Sequence, residues 1–418
     1  MTTAIHLAFE PDDAPHAEAI AAALEAEGFT PRRLGPDQRE PGQAESMARA
    51  IAETRAVVAV LSPAAAQSDT MRREINAAWS NGRAVIPVRV GDVAEGSWLA
   101  AAFPSAVVEL RVEPMAHLAA AVRAALKGGV VVAMLNIKGG VGKTVLAANL
   151  FAAAHLADRR SVAFVDLDPQ HNLSQYFLAP SERNILRDNG GTIYSALSAD
   201  SEPRRTVQQV ADLATPLNRT RKRNQARFEL VSGDERLFEY TLDTRSEAEK
   251  QLAFTRFREL IALLRARVDV VVIDANPCAT FLTRLAITAA DHIVAPVRPE
   301  TYSLTGLNML EHVVRAVRGR PLRSEEFSVL LNGVNDRTKS DVNGDPDALT
   351  RLEISRAPFF GAALLEDAVP YSGALRATPA DRYAPNPINV SAMMRVGARP
   401  VKEALARTAA AVLRRARS

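Results

Sequence analysis

The stretch NIKGGVGKTVLAANL, Asn136 to Leu150, constrains the fold of this chain more than any other. It joins a β-branched apolar run, VVVAMLNI, to a helix-forming run through Lys138-Gly139-Gly140-Val141-Gly142-Lys143-Thr144. A strand, a glycine-rich turn and a helix opening with Lys-Thr form the setting of a phosphate loop. The glycines let backbone N–H groups converge on phosphate oxygens with no Cβ in the way, and the helix N-terminus adds a favourable dipole. In this reading Gly139, Gly140, Val141 and Gly142 form the cradle. Lys143 reaches the β- and γ-phosphates, and the Thr144 hydroxyl ligates Mg²⁺. The alternative is a glycine-rich turn with a chance lysine, and the flanking strand and helix argue against it. Two details are unusual. Ile137 stands where G-x-x-x-x-G-K-[ST] has its first glycine, and Lys138 is a lysine more than the motif needs.

Acidic strand ends support the site. VAFVDLDPQHN places Asp166 and Asp168 at the carboxyl edge of a strand, and VDVVVIDANP places Asp274 at the edge of another. Ligands in open α/β sheets bind at that edge. Asp274, after an apolar run, suits the carboxylate that holds Mg²⁺ through water. A single strand-end Asp is often a helix cap, but three beside a phosphate loop are harder to explain so.

The rest of the chain alternates in the same way. Residues 4–127 read as short apolar strands (AIHLAF, FTPRRL, AVVAVLS, AVIPVRV, AVVELRV) between amphipathic helices, which means a parallel sheet covered on both faces. Five such units in about 125 residues is a flavodoxin-like size. Lys127-Gly128-Gly129 marks a boundary, so the expected domains are 1–127 and 128–418. The second set of strands is VVVAMLNI, SVAFVDLD, FELVS, VDVVVIDA, HIVAPVR, FSVLLNGV and GAALLED, closed by the helix RPVKEALARTAAAVLRRAR. The polar segments 180–226, with a basic run at Arg219, Arg221, Lys222 and Arg223, and 336–348 read as loops or insertions.

At 418 residues the chain is too long for one ordinary core. A net charge of +3 permits an anion-binding patch without announcing a nucleic-acid binder. The single cysteine, Cys278, excludes an internal disulfide and a cysteine zinc cluster, which suits a reducing, cytoplasmic setting. MTTAIHLAFEPDDAPH is acidic and broken by prolines, so it reads as no secretory signal. No apolar run reaches the roughly 18 residues of a membrane span.

The pieces KGGVGKT, VDLDPQHN, VVVIDANPCATFLTRLAITAADHIVAPVRPETYSLTGLNML and VLLNGVNDRT, in this order, resemble the ParA/MinD family of deviant Walker ATPases. The resemblance implies ATP and Mg²⁺ as ligands and an ATP-dependent homodimer. The extra lysine, Lys138 here, would reach across a nucleotide sandwich to the partner's phosphates and supply charge in trans. Asp168 would orient the attacking water, Asp166 would support Mg²⁺, and Gly139 would lie where protomers approach. Asn332 would contact adenine. The family tolerates a non-glycine at the Ile137 position. Asn276 replaces the first proline of its Asp-x-Pro-Pro turn, while Pro277 remains.

The first domain resembles TIR domains. The resemblance is carried by Asp12-Asp13, DQREPGQ (Asp37–Gln43), RAVVAVLSP (Arg55–Pro63), SDTMRREI (Ser68–Ile75) and VIPVRV. It implies that Glu74 occupies the position of the glutamate needed for NAD⁺ glycohydrolysis, where a carboxylate stabilises oxocarbenium charge on the ribose. Thr70 stands where that family has an aromatic residue. Two readings remain open. One is an active NAD⁺ hydrolase, and the other is a degenerate scaffold that only self-associates, with Glu74 solvated on a half-exposed helical face.

Arg399, Lys402, Arg407, Arg414, Arg415 and Arg417 decorate the last helix. They read either as a non-specific DNA contact through phosphate neutralisation or as a solvated face. His6, His16, His117, His155, His171 and His292 show no ligand spacing and read as structural or exposed. Two functions are expected from these features. One is an ATP-switched dimer that controls NAD⁺ hydrolysis in anti-phage immunity. The other is a DNA-binding positioning ATPase whose TIR-like module recruits an unidentified protein partner.

Overall fold

A computed structural model describes residues 3–40, 42–103, 108–109, 115–217, 226–242, 244–276, 280–300, 303–334, 346–372, 375 and 399–417. The chain divides into two compact units. One is Met1–Gly128 with Ile287–Ala289 and Arg315–Pro321, and the other is the remainder.

The first unit holds a five-stranded sheet of β1 (Thr3–Ala8), β2 (Phe29–Arg32), β3 (Ala56–Leu61), β4 (Ala84–Arg89) and β5 (Val108–Glu109), in the order β2-β1-β3-β4-β5. Every pairing is parallel. The central strand β3, AVVAVL, is buried along its whole length, as a strand covered on both faces must be. Ile5, Leu7, Val58, Val60 and Val88 form the core with Ile20 and Leu24 of helix Ala14–Ala26 and Leu118 and Val122 of helix Met115–Lys127.

The second unit holds an eight-stranded sheet in the order β13-β12-β11-β6-β10-β7-β9-β8. Its strands are β6 (Val130–Met134), β7 (Val162–Leu167), β8 (Thr215–Pro216), β9 (Phe228–Val231), β10 (Val270–Ala275), β11 (His292–Val297), β12 (Phe327–Val334) and β13 (Val369–Pro370). Only β8 runs antiparallel, against β9. The carboxyl ends of β6, β7, β10, β11 and β12 therefore share one edge. Helix Lys143–Asp158 packs against the last helix, Arg399–Arg417, which sends Val401, Leu405, Ala409, Val412 and Leu413 into the core.

Three expectations are corrected. The segment read as loops over 180–226 contains helices Pro180–Asp188, Ile193–Leu197 and Val207–Asp212 and strand β8. The basic run at Arg219, Arg221, Lys222 and Arg223 lies outside the described residues. GAALLED is no strand: it ends helix Pro358–Ala363 and makes a single bridge, Leu364 to Val329, while the edge strand is β13. The segment 336–348 is outside the described residues up to 345, and helix Pro346–Arg356 starts within it.

Candidate functional site

Backbone and side-chain bonds stitch the glycine-rich loop to its neighbours. The Leu135 amide donates to the Val294 carbonyl at 3.0 Å. The Asn136 side chain donates to the Pro296 carbonyl at 2.7 Å and accepts the Lys138 amide at 2.9 Å. Gly140 and Gly142 have φ of +75° and +92°, where a side chain is strained. A Cβ on Gly142 would also come within 2.5 Å of Asn332 Nδ2. That nitrogen donates to the Val141 carbonyl at 2.8 Å, so Asn332 braces the loop. The Val141 side chain is buried.

The two lysines differ in their surroundings. Lys143 opens the helix, is 8% exposed, and its Nζ lies 3.4 Å from the Lys138 carbonyl. The Lys138 side chain is 35% exposed and donates to Glu300 Oε2 at 2.7 Å. Glu300 is held below the usual carboxylate range, chiefly by that bond and further by the nearby Arg298.

The acids lie below the loop. Asp166 is fully buried, and its Oδ2 accepts both the Ser174 amide and hydroxyl at 2.7 Å. The Gly233 amide in turn donates to Ser174 Oγ at 2.8 Å, and a Cβ on Gly233 would strike the Asp166 carboxylate. Asp168 accepts the Gln170 amide at 2.9 Å, which fixes its carboxylate at the strand exit. Asp274 is 1% exposed, and neither of its carboxylate oxygens has a hydrogen-bond partner among the described residues.

Burial raises the Asp274 pKa to about 8, with a smaller push from Asp166, while Thr144 and Lys143 pull it down. Burial likewise raises Asp166 to about 7, against the Ser174 bonds. A buried carboxylate met by little beyond the Thr144 hydroxyl, beside a second buried acid, is a centre short of positive charge. The residues thus fit a divalent cation. Among the described residues no three His, Cys, Asp or Glu side chains gather as a metal-binding group. A Mg²⁺ here would therefore draw on the Thr144 hydroxyl, water and phosphate oxygens as well as Asp274.

A cavity of about 830 Å³ opens above this edge. Of the candidate residues it is lined by Gly139, Gly140, Gly142, Lys143, Thr144, Asp168 and Asn332. Lys138, Val141, Asp166 and Asp274 do not line it, and Glu74 belongs to the other unit. Asn276, Thr280, Arg298, Gly333, Tyr371 and Leu375 line it too. Sequence reasoning passed over Arg298, Glu300, Ser174 and Gly233. Arg298 and Glu300 sit in the quoted VAPVRPETY run, whereas the Ser174–Gly233 brace leaves no local signal.

In the first unit the expectation of a half-exposed Glu74 is wrong. Glu74 is 2% exposed, on the face of helix Asp69–Ser80 that also buries Met71, Ile75 and Ala78. That i, i+3, i+4, i+7 pattern was readable in MRREINAAW. Both carboxylate oxygens are engaged, Oε2 with His6 Nε2 at 2.9 Å and Oε1 with Arg39 Nε at 2.8 Å. Arg39 also donates to Glu10 at 2.8 Å and to the Phe9 carbonyl at 3.0 Å, and Ser68 donates to the same Glu10 oxygen.

Comparison with known proteins agrees with this division. A family model described as an AAA domain matches residues 129–326, and one described as a TIR domain matches residues 5–112. The chain is 35% identical to the chromosome partitioning protein ParA of Myxococcus xanthus, over 46% of this chain and 59% of that one. It is 30% identical to the chromosome partitioning protein ParA of Caulobacter vibrioides, over 56% of this chain and 86% of that one. Two putative replication proteins A, from Sinorhizobium fredii and Rhizobium rhizogenes, are spanned over 49% and 42% of their length. Among solved structures, a putative plasmid partition protein from Borrelia burgdorferi B31 bound to AMPPNP is similar at 18% identity and a TM-score of 0.44, over 65% of this chain and 97% of that one.

Proposed function

Because the chain belongs to the ParA family of ATPases and carries a TIR domain ahead of its ATPase unit, we propose that it is an ATP-switched dimer whose nucleotide state governs the TIR domain. The functional domains are residues 1–127 and 128–418. The observation that carries the reading is the contrast between the two loop lysines. Lys143 is turned into its own loop, while Lys138 points outward and is held by one surface carboxylate. An exposed ion pair of this kind contributes about 0–1 kcal/mol, so a triphosphate offered by a second subunit can compete for Lys138.

In the closed dimer Lys138 would meet the partner's phosphates. The loop amides and Lys143 would hold the phosphates of the subunit's own nucleotide. When bound, Mg²⁺ would supply charge neutralisation between phosphate oxygens, with Thr144 and Asp274 holding it and Asp166 supporting it. Asp168, fixed at the cavity wall, would orient the attacking water. Asn332 would meet the base while bracing the loop.

For the TIR domain we favour NAD⁺ hydrolysis released on assembly, with NAD⁺ depletion in anti-phage immunity as the output. Arg39 and His6 each hold one oxygen of the Glu74 carboxylate, and release of Arg39 on assembly would free it for the ribose. The purified protein incubated with NAD⁺, with and without ATP, tests this. NAD⁺ should be consumed only with ATP, and not by Glu74→Gln. Unchanged NAD⁺ in every case would end the NAD⁺ hydrolase reading and leave the ATP switch standing.

A second reading, DNA-bound positioning with the TIR domain as a docking module for a protein partner, draws on the last helix and on the partitioning proteins among the relatives. Arg414 and Arg417 are exposed. Arg407 is committed to Asp367, and Arg415 donates to the Ala363 carbonyl at 2.7 Å. Salt-sensitive, ATP-dependent DNA retention lost on reversing Arg414 and Arg417 would favour this reading. Among the described residues no helix is long and apolar enough to cross a membrane.

A further inference from the structure

Arg298 stands immediately after β11, whose neighbour in the sheet is β6, the strand that feeds the glycine-rich loop. Its side chain lines the same cavity as Gly139, Gly140, Lys143 and Thr144. Among the described residues its guanidinium makes no hydrogen bond or ion pair, whereas five N–H donors are available on it. Its charge acts on the nearby Glu300 without a direct ion pair, which leaves its planar fork open to an anion in the cavity.

Arg298 and Glu300 are held by several contacts. The hydroxyl of the buried Ser303 lies 2.7 Å from the carbonyls of both Arg298 and Glu300 and is shared between them. Asn136 ties the Pro296 carbonyl to the first residues of the glycine-rich loop, and Lys138 grips Glu300. Gly306 packs on the same residues, since a Cβ there would touch Asn136 and Lys138. Arg298 is thus anchored to the start of the loop through Pro296 and Glu300. Pro370, Tyr371 and Leu375, contributed by β13 and the residues after it, form another wall of the cavity.

We propose that Arg298 binds the terminal phosphate of ATP from within its own subunit and so makes the site discriminate ATP from ADP. The inference rests on the reading of the cavity as an ATP site. The loop amides and Lys143 grip the phosphates that ADP also carries, and Lys143 reaches on to the γ-phosphate. Lys138, half-buried and outside the cavity lining, serves the partner. Arg298, the other cation lining the cavity, adds a second contact to the phosphate that only ATP carries. A planar fork suits a phosphate with free equatorial oxygens better than a bridging one.

The test is calorimetric titration of the full chain with Mg²⁺ and either ADP or a slowly hydrolysed ATP analogue. The parent should bind both. Arg298→Gln should keep ADP affinity within about twofold while losing about 10- to 100-fold in affinity for the analogue, the loss typical of one charge-assisted contact. Arg298→Lys should recover part of the loss, because charge is kept and the fork is not. Retained ADP binding certifies the fold of each variant. Arg298→Met, which keeps the stem without the head, answers the same question should the glutamine variant fail to fold. An unchanged analogue-to-ADP ratio in these neutral variants would overturn the proposal while leaving the ATP site intact. A parent that binds neither nucleotide would overturn the ATP-site reading and this inference with it.

Discussion

At Gly142 the sequence permits one residue. The backbone is left-handed there, and the space a Cβ would need is filled by the Asn332 amide that braces Val141. Gly142→Ala should therefore displace that brace and cost at least tenfold in nucleotide affinity, read by titration, with little change in the first unit. Affinity equal to the parent would mean the loop re-forms on binding. Asp166 and Asp274 give a second expectation. Both are raised above the ordinary Asp value of 3.8, to about 7 and about 8, chiefly by burial. The folded state therefore keeps protons that the unfolded state has released, and stability without nucleotide falls as pH rises from about 4 to about 8. Thermal midpoints measured over pH 5–8 should decline in the parent and decline less in Asp274→Asn. Parallel curves would show that Asp274 is ionised throughout. The residue types of this site were legible because chemistry fixes them: two lysines flanking glycines, and acids at strand ends. The Ser174 and Gly233 contacts that aim Asp166 were not, because they join positions eight and 67 residues away with no periodic trace.

Among the elements, the last helix behaves as core. Its residues Leu405 and Val412 are buried against helix Lys143–Asp158, which begins at the glycine-rich loop. Leu405→Ala should cost about 2–5 kcal/mol in chemical unfolding. It should also weaken nucleotide binding, since the loop's helix loses its backing. A cost under about 0.5 kcal/mol, the level of an ordinary surface change, would contradict this packing. Helices and strands with strong apolar periods were readable, and the parallel order followed from their alternation. The helices over Pro180–Asp212 were not. They are short and flanked by polar residues, and Pro180–Asp188 buries no residue fully. The Glu74 error had another cause. Its helix signals burial at that position, but the residue's charge suggested solvent, and only the tertiary partners His6 and Arg39 reconcile the two.

For the whole molecule, the proposed switch joins ATP binding to TIR output through Lys138. If Lys138 serves a second subunit, removing it leaves the subunit's own nucleotide site whole but uncouples it from assembly. The direct measurement is the molar mass of the full chain by light scattering, with Mg²⁺ and a slowly hydrolysed ATP analogue, for the parent and Lys138→Ala, alongside analogue affinity. The parent should double its mass with the analogue, while Lys138→Ala binds the analogue yet stays at the mass of one chain. A Lys138→Ala protein that doubles its mass as readily as the parent would contradict the switch.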